Sequence, residues 1–197
     1  MKALQGGGAM STDNNNIESL KIRLATYAPE YRLGEHKWAF RCCELALEAL
    51  EEGNYGVGAV LVDRDNNLLA EAANQVFSEG FNSSAHAEMR VLDQFENMFP
   101  DYKDREGLQL ISSLEPCPMC CGRILASGIG QIIYLAEDKA GGMMSHCNKL
   151  PAAWDNLAQL IVIKCFNKEK ELSILASDIA SAQMQGLRQK LMLTIRS

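Results

Sequence analysis

Residues 108–136 read "LQLISSLEPCPMCCGRILASGIGQIIYLA". "LQLISS" (108–113) and "QIIYLA" (131–136) are short apolar runs of strand length. Between them, "CPMCCGRILAS" (117–127) reads as a helix with Pro118 in its first turn, where a missing N–H does no harm. The joint carries three thiols, Cys117, Cys120 and Cys121. A Cys-x-x-Cys pair at a helix start serves a redox couple, a structural zinc clip or a catalytic metal site. The rest of the chain must supply the third ligand that decides among them.

Working outward, the strand–helix alternation continues. "EHKWAFRCCELALEALEEG" (35–53) places Trp38, Ala39, Cys42, Leu45, Ala46 and Ala49 along one helical stripe, and Gly53 suits its end. "GVGAVLVD" (56–63) and "LLAEAANQV" (68–76) flank the turn "RDNN" and predict a β-hairpin. "SSAHAEMRVLDQFENMF" (83–99) predicts a helix capped by Ser84, with Ala87, Val91, Leu92 and Phe95 on its buried face. Residues 137–159 read as irregular or partly helical, "LIVIKCF" (160–166) as the last strand, and "SILASDIASAQMQGLRQKLMLTI" (173–195) as one terminal helix. The pattern implies an α/β protein: a three-layer α/β/α sandwich around a mixed sheet of about five strands, the last strands parallel.

The bulk properties narrow the class. The chain has 197 residues, 47% hydrophobic and 22% charged, which suits one domain with a substantial core. The Gly- and Asn-rich residues 1–16 are set aside as a disordered leader or tag remnant, leaving 17–197 as a single domain. No membrane-spanning run and no secretory h-region are evident, and seven cysteines cannot all pair, so a cytoplasmic, reducing setting is expected. A net charge of −6 opposes a broad electrostatic grip on a polyanion such as tRNA.

The third ligand is His86, which opens the helix at "HAE". Zinc favours thiolate and imidazole donors, and His86, Cys117 and Cys120 leave its fourth position open. Cys121, one step along the helix, points about 100° away from Cys120 and reads as core. His146 and Cys147 are adjacent with no further ligands near, and read as surface loop residues. Glu88, two positions after His86, is placed to take a proton from a metal-held water and return it to a substrate.

"HAE" followed by "PCPMC" resembles the zinc-dependent cytidine/deoxycytidylate deaminase superfamily, whose pattern is H-x-E…P-C-x-x-C. "SLEPCPMC" and "EDKAGG" place the likeness nearest the guanine deaminase and tRNA adenosine deaminase branch, over residues 36–166. The resemblance implies one zinc ion per chain, hydrolytic removal of an exocyclic amine from a base, and a homodimer. It assigns Asn74 to the base or sugar; the backbone of Ala87 is read as holding the base edge, and Asp155 as standing in for a second proton shuttle. Phe77 and Trp154 are candidates to stack on a base. Two features depart from that branch: the "GFD" motif of guanine deaminases has no counterpart, and the C-terminal helix and tail offer only Arg188, Lys190 and Arg196 against Asp178. The expected substrate is therefore a small base, nucleoside or nucleotide. The alternatives are a tRNA adenosine deaminase and a retired deaminase fold serving as a partner subunit.

Overall fold

The computed structural model describes residues 9–27, 36–166 and 170–196. Strand β1 (Gly58–Val62) is buried along its whole length. Its side chains alternate between two cores, Val60 and Val62 on one side and Ala59 and Leu61 on the other. Period-two alternation with both faces apolar marks a central strand covered by helices on each side. β2 (Leu68–Ala73) and β3 (Gln109–Leu114) flank β1 antiparallel, and β4 (Gln131–Ala136) and β5 (Val162–Cys165) follow β3 in parallel. The sheet order is β2-β1-β3-β4-β5, a mixed five-stranded sheet with parallel last strands, as the sequence predicts.

One face carries α1 (Ala9–Thr26), α2 (Lys37–Glu51) and α6 (Lys170–Ser181), through Leu20, Leu24, Leu47, Leu50, Leu175 and Ile179. The other carries α3 (Ala87–Met98), α4 (Pro118–Ala126) and α5 (Ala152–Ala158). Cys42, on the helical stripe read from the sequence, and Cys43 beside it are fully buried in α2. Gly58 lets α2 lie directly on the sheet, since a Cβ there would stand 2.5 Å from Leu45 Cβ and 2.8 Å from Ala46 N.

Four expectations are corrected. Residues 1–8 of the expected leader lie outside the described residues, but 9–16 are helical and begin α1. Its residues Ile17, Leu20 and Leu24 fall on one face and are buried. Ser84 does not cap α3; its Oγ donates to Asn82 Oδ1 at 2.7 Å, and His86 is the residue at the helix start. The terminal helix is two helices, because Gln183 takes a left-handed φ of 58° and α7 (Met184–Thr194) starts afresh after it. Within 137–159, a 3-10 segment spans Met144–Lys149 and buries Cys147, whose sulfur lies 3.5 Å from that of Cys121. His146 beside it is exposed, as expected.

The topology gathers the chemistry at one end of the sheet. The carboxyl ends of β2, β3 and β4 and the start of β1 lie at the same edge, as the pairings Gly58↔Ala73, Ala59↔Ser112 and Leu114↔Ala136 require. The ends of parallel strands are where open α/β sheets bind ligands.

Candidate active site

His86 and Cys117 each occupy the residue just before a helix, α3 and α4, with extended backbone (ψ 151° and 171°). The extended turn aims each side chain off the helix start, where unpaired N–H groups favour negative charge. Cys120 comes from the first turn of α4, held there by the Cys121 N–H bond to Cys117 O at 2.8 Å. His86 Nδ1 lies 3.7 Å from Cys117 Sγ and 3.6 Å from Cys120 Sγ, and the sulfurs are 3.6 Å apart. Tetrahedral zinc, with Zn–S about 2.3 Å and Zn–N about 2.0–2.1 Å, sets its ligand atoms roughly 3.5–3.8 Å apart. The triangle therefore fits zinc, and two soft thiolates with one imidazole are the donor set that zinc prefers.

The electrostatics agree with that reading. The hydrogen bond from Cys120 and, after the opposing effect of burial, the His86 imidazole hold the Cys117 thiol down at about 4. Cys120 is pushed up by its bond to Cys117, by burial and by the charge of Glu88. Burial acts to lower His86, but the bond and charge of Cys117 and the charge of Glu88 outweigh it, and the value rises. A divalent cation resolves this crowding by displacing the protons.

Glu88 lies in the first turn of α3, only 3% exposed. Its Oε1 accepts from Ser112 Oγ on β3 at 3.1 Å, and its Oε2 stands 3.5 Å from Cys120 Sγ. Burial pushes its carboxyl above the usual range. A cavity of about 210 Å³ opens over these groups. Tyr55, Asn74, His86, Glu88, Glu115, Cys117, Asp138 and Arg188 supply its polar lining.

Three comparisons bear on this geometry. Residues 34–136 match the family model for the cytidine and deoxycytidylate deaminase zinc-binding region, just over half of the chain. The chain belongs to that family. The tRNA-specific adenosine deaminase of Bacillus subtilis is 38% identical over 97 residues, 49% of this chain and 58% of that relative. A probable cytosine deaminase of Schizosaccharomyces pombe is 33% identical over 91 residues, 46% of this chain and 53% of that one. The chain thus spans less than two thirds of either relative. In fold, it is similar to a guanine deaminase from Nitrosomonas europaea (TM-score 0.56, 21% identity, 75% of this chain and 85% of that one). It is also similar to a structure from work on tRNA:A34 deaminases (TM-score 0.58, 24% identity, 66% of this chain and 97% of that one).

Set beside the deaminase family's zinc-binding pattern, the predicted residues divide. His86, Glu88, Cys117 and Cys120 come together, and Asn74 joins them at the cavity wall, directly after β2. Asn74 Oδ1 accepts from Val76 N at 3.1 Å, while its amide nitrogen has no hydrogen-bond partner among the described residues. Ala87 is fully buried and does not line the cavity. Asp155 is not brought to the site; it lies on α5 and accepts from Gln159 Nε2 at 3.3 Å. Trp154 also stays outside, lying over α4 with ring atoms 3.9 Å from where a Gly122 Cβ would stand. Phe77 packs between Tyr55 and Phe81, with ring centroids at 5.8 and 6.1 Å, and Lys190 covers its ring at 4.3 Å, so it is not open to a base.

Sequence reasoning missed Glu115. Its carboxylate accepts from Asp138 N at 3.1 Å and Ser145 N at 2.8 Å, tying the 138–145 segment to the cysteine turn. An acidic residue directly before Pro116–Cys117 was the available signal. Helix α7 also reaches the cavity, with Met184, Arg188 and Leu191 in its lining.

Proposed function

We propose that the protein is a zinc-dependent hydrolase that removes the exocyclic amine from a nucleobase, nucleoside or nucleotide and releases ammonia. The observation that carries this reading is the buried Glu88 carboxylate, 3.5 Å from a cysteine of the zinc-fitting triangle and open to the cavity beside Asn74. When bound by His86, Cys117 and Cys120, zinc supplies an activated water. Glu88 Oε2 takes one proton from the attacking water and gives it to a ring nitrogen, then takes a second from the hydroxyl now on the ring carbon and gives it to the amine, which leaves as ammonia. Ser112 Oγ fixes Oε1, leaving Oε2 as the oxygen that moves protons. Burial raises the affinity of Glu88 for a proton, which suits a group that must both accept and release one. The free amide of Asn74 donates to an acceptor on the base.

A cavity of about 210 Å³ and a net charge of −6 support a small substrate. The named activity of the Bacillus relative supports the second reading, a tRNA adenosine deaminase. The deciding experiment measures ammonia release by the zinc-loaded protein from guanine, cytosine and adenine, their nucleosides and monophosphates, with tRNA in parallel. Turnover of a small molecule, abolished in Glu88→Gln, supports the first reading. Turnover of tRNA alone replaces it with the second. Silence across the panel moves weight to a retired subunit.

A cytoplasmic homodimer belongs to the same proposal. The seven cysteines are all free, which accords with a reducing compartment. Among the described residues no helix is long and apolar enough to cross a membrane. Sedimentation of the zinc-loaded protein tests the subunit count.

A further inference from the structure

Helix α7 lies beyond residues 34–136, the stretch that matches the family model. It is nonetheless part of the cavity. Met184, Arg188 and Leu191 are spaced i, i+4 and i+7, so one face of the helix roofs the site. Leu187 is its buried anchor, and Tyr55 Oη donates to Leu187 O at 3.4 Å. Lys190 Nζ sits 4.3 Å over the Phe77 ring.

The charge of this helix runs against that of the chain. "MQGLRQKLMLT" carries Arg188 and Lys190 and no acidic residue, in a chain of net charge −6. The carboxylates of Glu115 and Asp138 also line the cavity, but each already accepts two backbone N–H bonds. Arg188 is exposed at the cavity wall and makes no hydrogen bond or ion pair with the described residues. Its charge reaches Tyr55, opposing the upward push of burial on that phenol. A guanidinium offers a planar fork of donors that matches the oxygens of a phosphate.

We propose that Arg188 is a specificity-determining residue that binds a phosphate carried by the substrate, so that the site selects a nucleoside monophosphate over the nucleoside or free base. This rests on the deaminase reading of the same cavity. The amine-bearing ring lies on the floor with Glu88 and Asn74, and the apolar side chains of Met184 and Leu191 cover it. The phosphate end reaches the exposed rim where Arg188 stands. A single roofed cavity in an acidic chain favours a mononucleotide over the backbone of an RNA.

The test uses the full chain loaded with zinc, with Arg188→Ala and Arg188→Lys beside the parent. Ammonia release is measured on cytidine, adenosine and guanosine and on their 5′-monophosphates. Binding of the same compounds is measured by calorimetry in the Glu88→Gln background. The parent is expected to favour a monophosphate by about 10–100-fold in kcat/KM, chiefly through KM. That ratio is expected to fall close to one in Arg188→Ala and to recover in part in Arg188→Lys. A merely structural role would lower both members of each pair together and leave their ratio intact. Equal turnover with and without phosphate, or a preference that survives Arg188→Ala, overturns the inference and leaves the deaminase reading standing. Phosphate-dependent binding lost in Arg188→Ala, with no ammonia from any compound, sustains the inference and removes the deaminase reading. Binding and turnover of none of these compounds overturns it.

Discussion

His86, Glu88 and Cys117 sit at the starts of helices packed against the sheet, whereas Met184, Arg188 and Leu191 ride on a helix with one buried side chain. The first group is held on several sides: Ser112 fixes Glu88, and Glu115 ties the cysteine turn to residues 138–145. The second is held by Leu187, the Tyr55 hydroxyl and the contact of Lys190 with Phe77. The floor has the rigidity that bond-making geometry requires. The roof has the looser attachment typical of segments that vary around a rigid scaffold.

The harshest way to break this contrast is to remove a floor ligand. Cys120→Ala is expected to lose zinc and all turnover; metal analysis showing a full equivalent of zinc would discredit the triangle. Glu88→Gln is expected to keep zinc and lower ammonia release by about 10²–10⁴-fold, and near-parent kcat would remove Glu88 from the chemistry. Glu115→Ala strips the acceptor from two backbone N–H groups and is expected to cost about 1–3 kcal/mol in thermal unfolding. An unchanged melting curve would mean that the 138–145 segment is held by other contacts. Tyr55→Phe is the mildest change: about 0.5–1.5 kcal/mol of stability, full zinc content and a raised KM. If it instead lowered zinc content, floor and roof would not be separable.

The floor was legible in the sequence because its constraints are local. The spacing of His86, Glu88, Cys117 and Cys120 is dictated by two helix starts, and the apolar runs mark the strands without ambiguity. The roof was less legible. The break between α6 and α7 falls at Gln183, which adopts a left-handed backbone without the glycine or proline that would announce it. Cys147 reads as a surface loop residue because it adjoins His146 with no further ligands near, yet a 3-10 segment turns it inward against Cys121. Asp155 stands in the sequence for the missing "GFD" acid, whereas Asp138 and Glu115, both in the quoted motifs, are acids that line the cavity. These misses share one cause: each depends on a contact between segments distant in the chain, which spacing does not encode.

The joint at Gln183 has a consequence for handling and for engineering. Up to that residue the terminal segment is clamped to the far layer of the sandwich, where Gly56 leaves so little room that an added Cβ would stand 2.6 Å from Ile179 O. Past it, the last helix turns to the cavity, held there by Leu187, Tyr55 and the contact of Lys190 with Phe77. A protease nick at Gln183 would leave the roof held by those three contacts alone, while the ligand triangle of the floor keeps its own. The same point is the natural seam for grafting a different terminal helix, which would reshape the cavity wall without touching His86, Cys117 or Cys120.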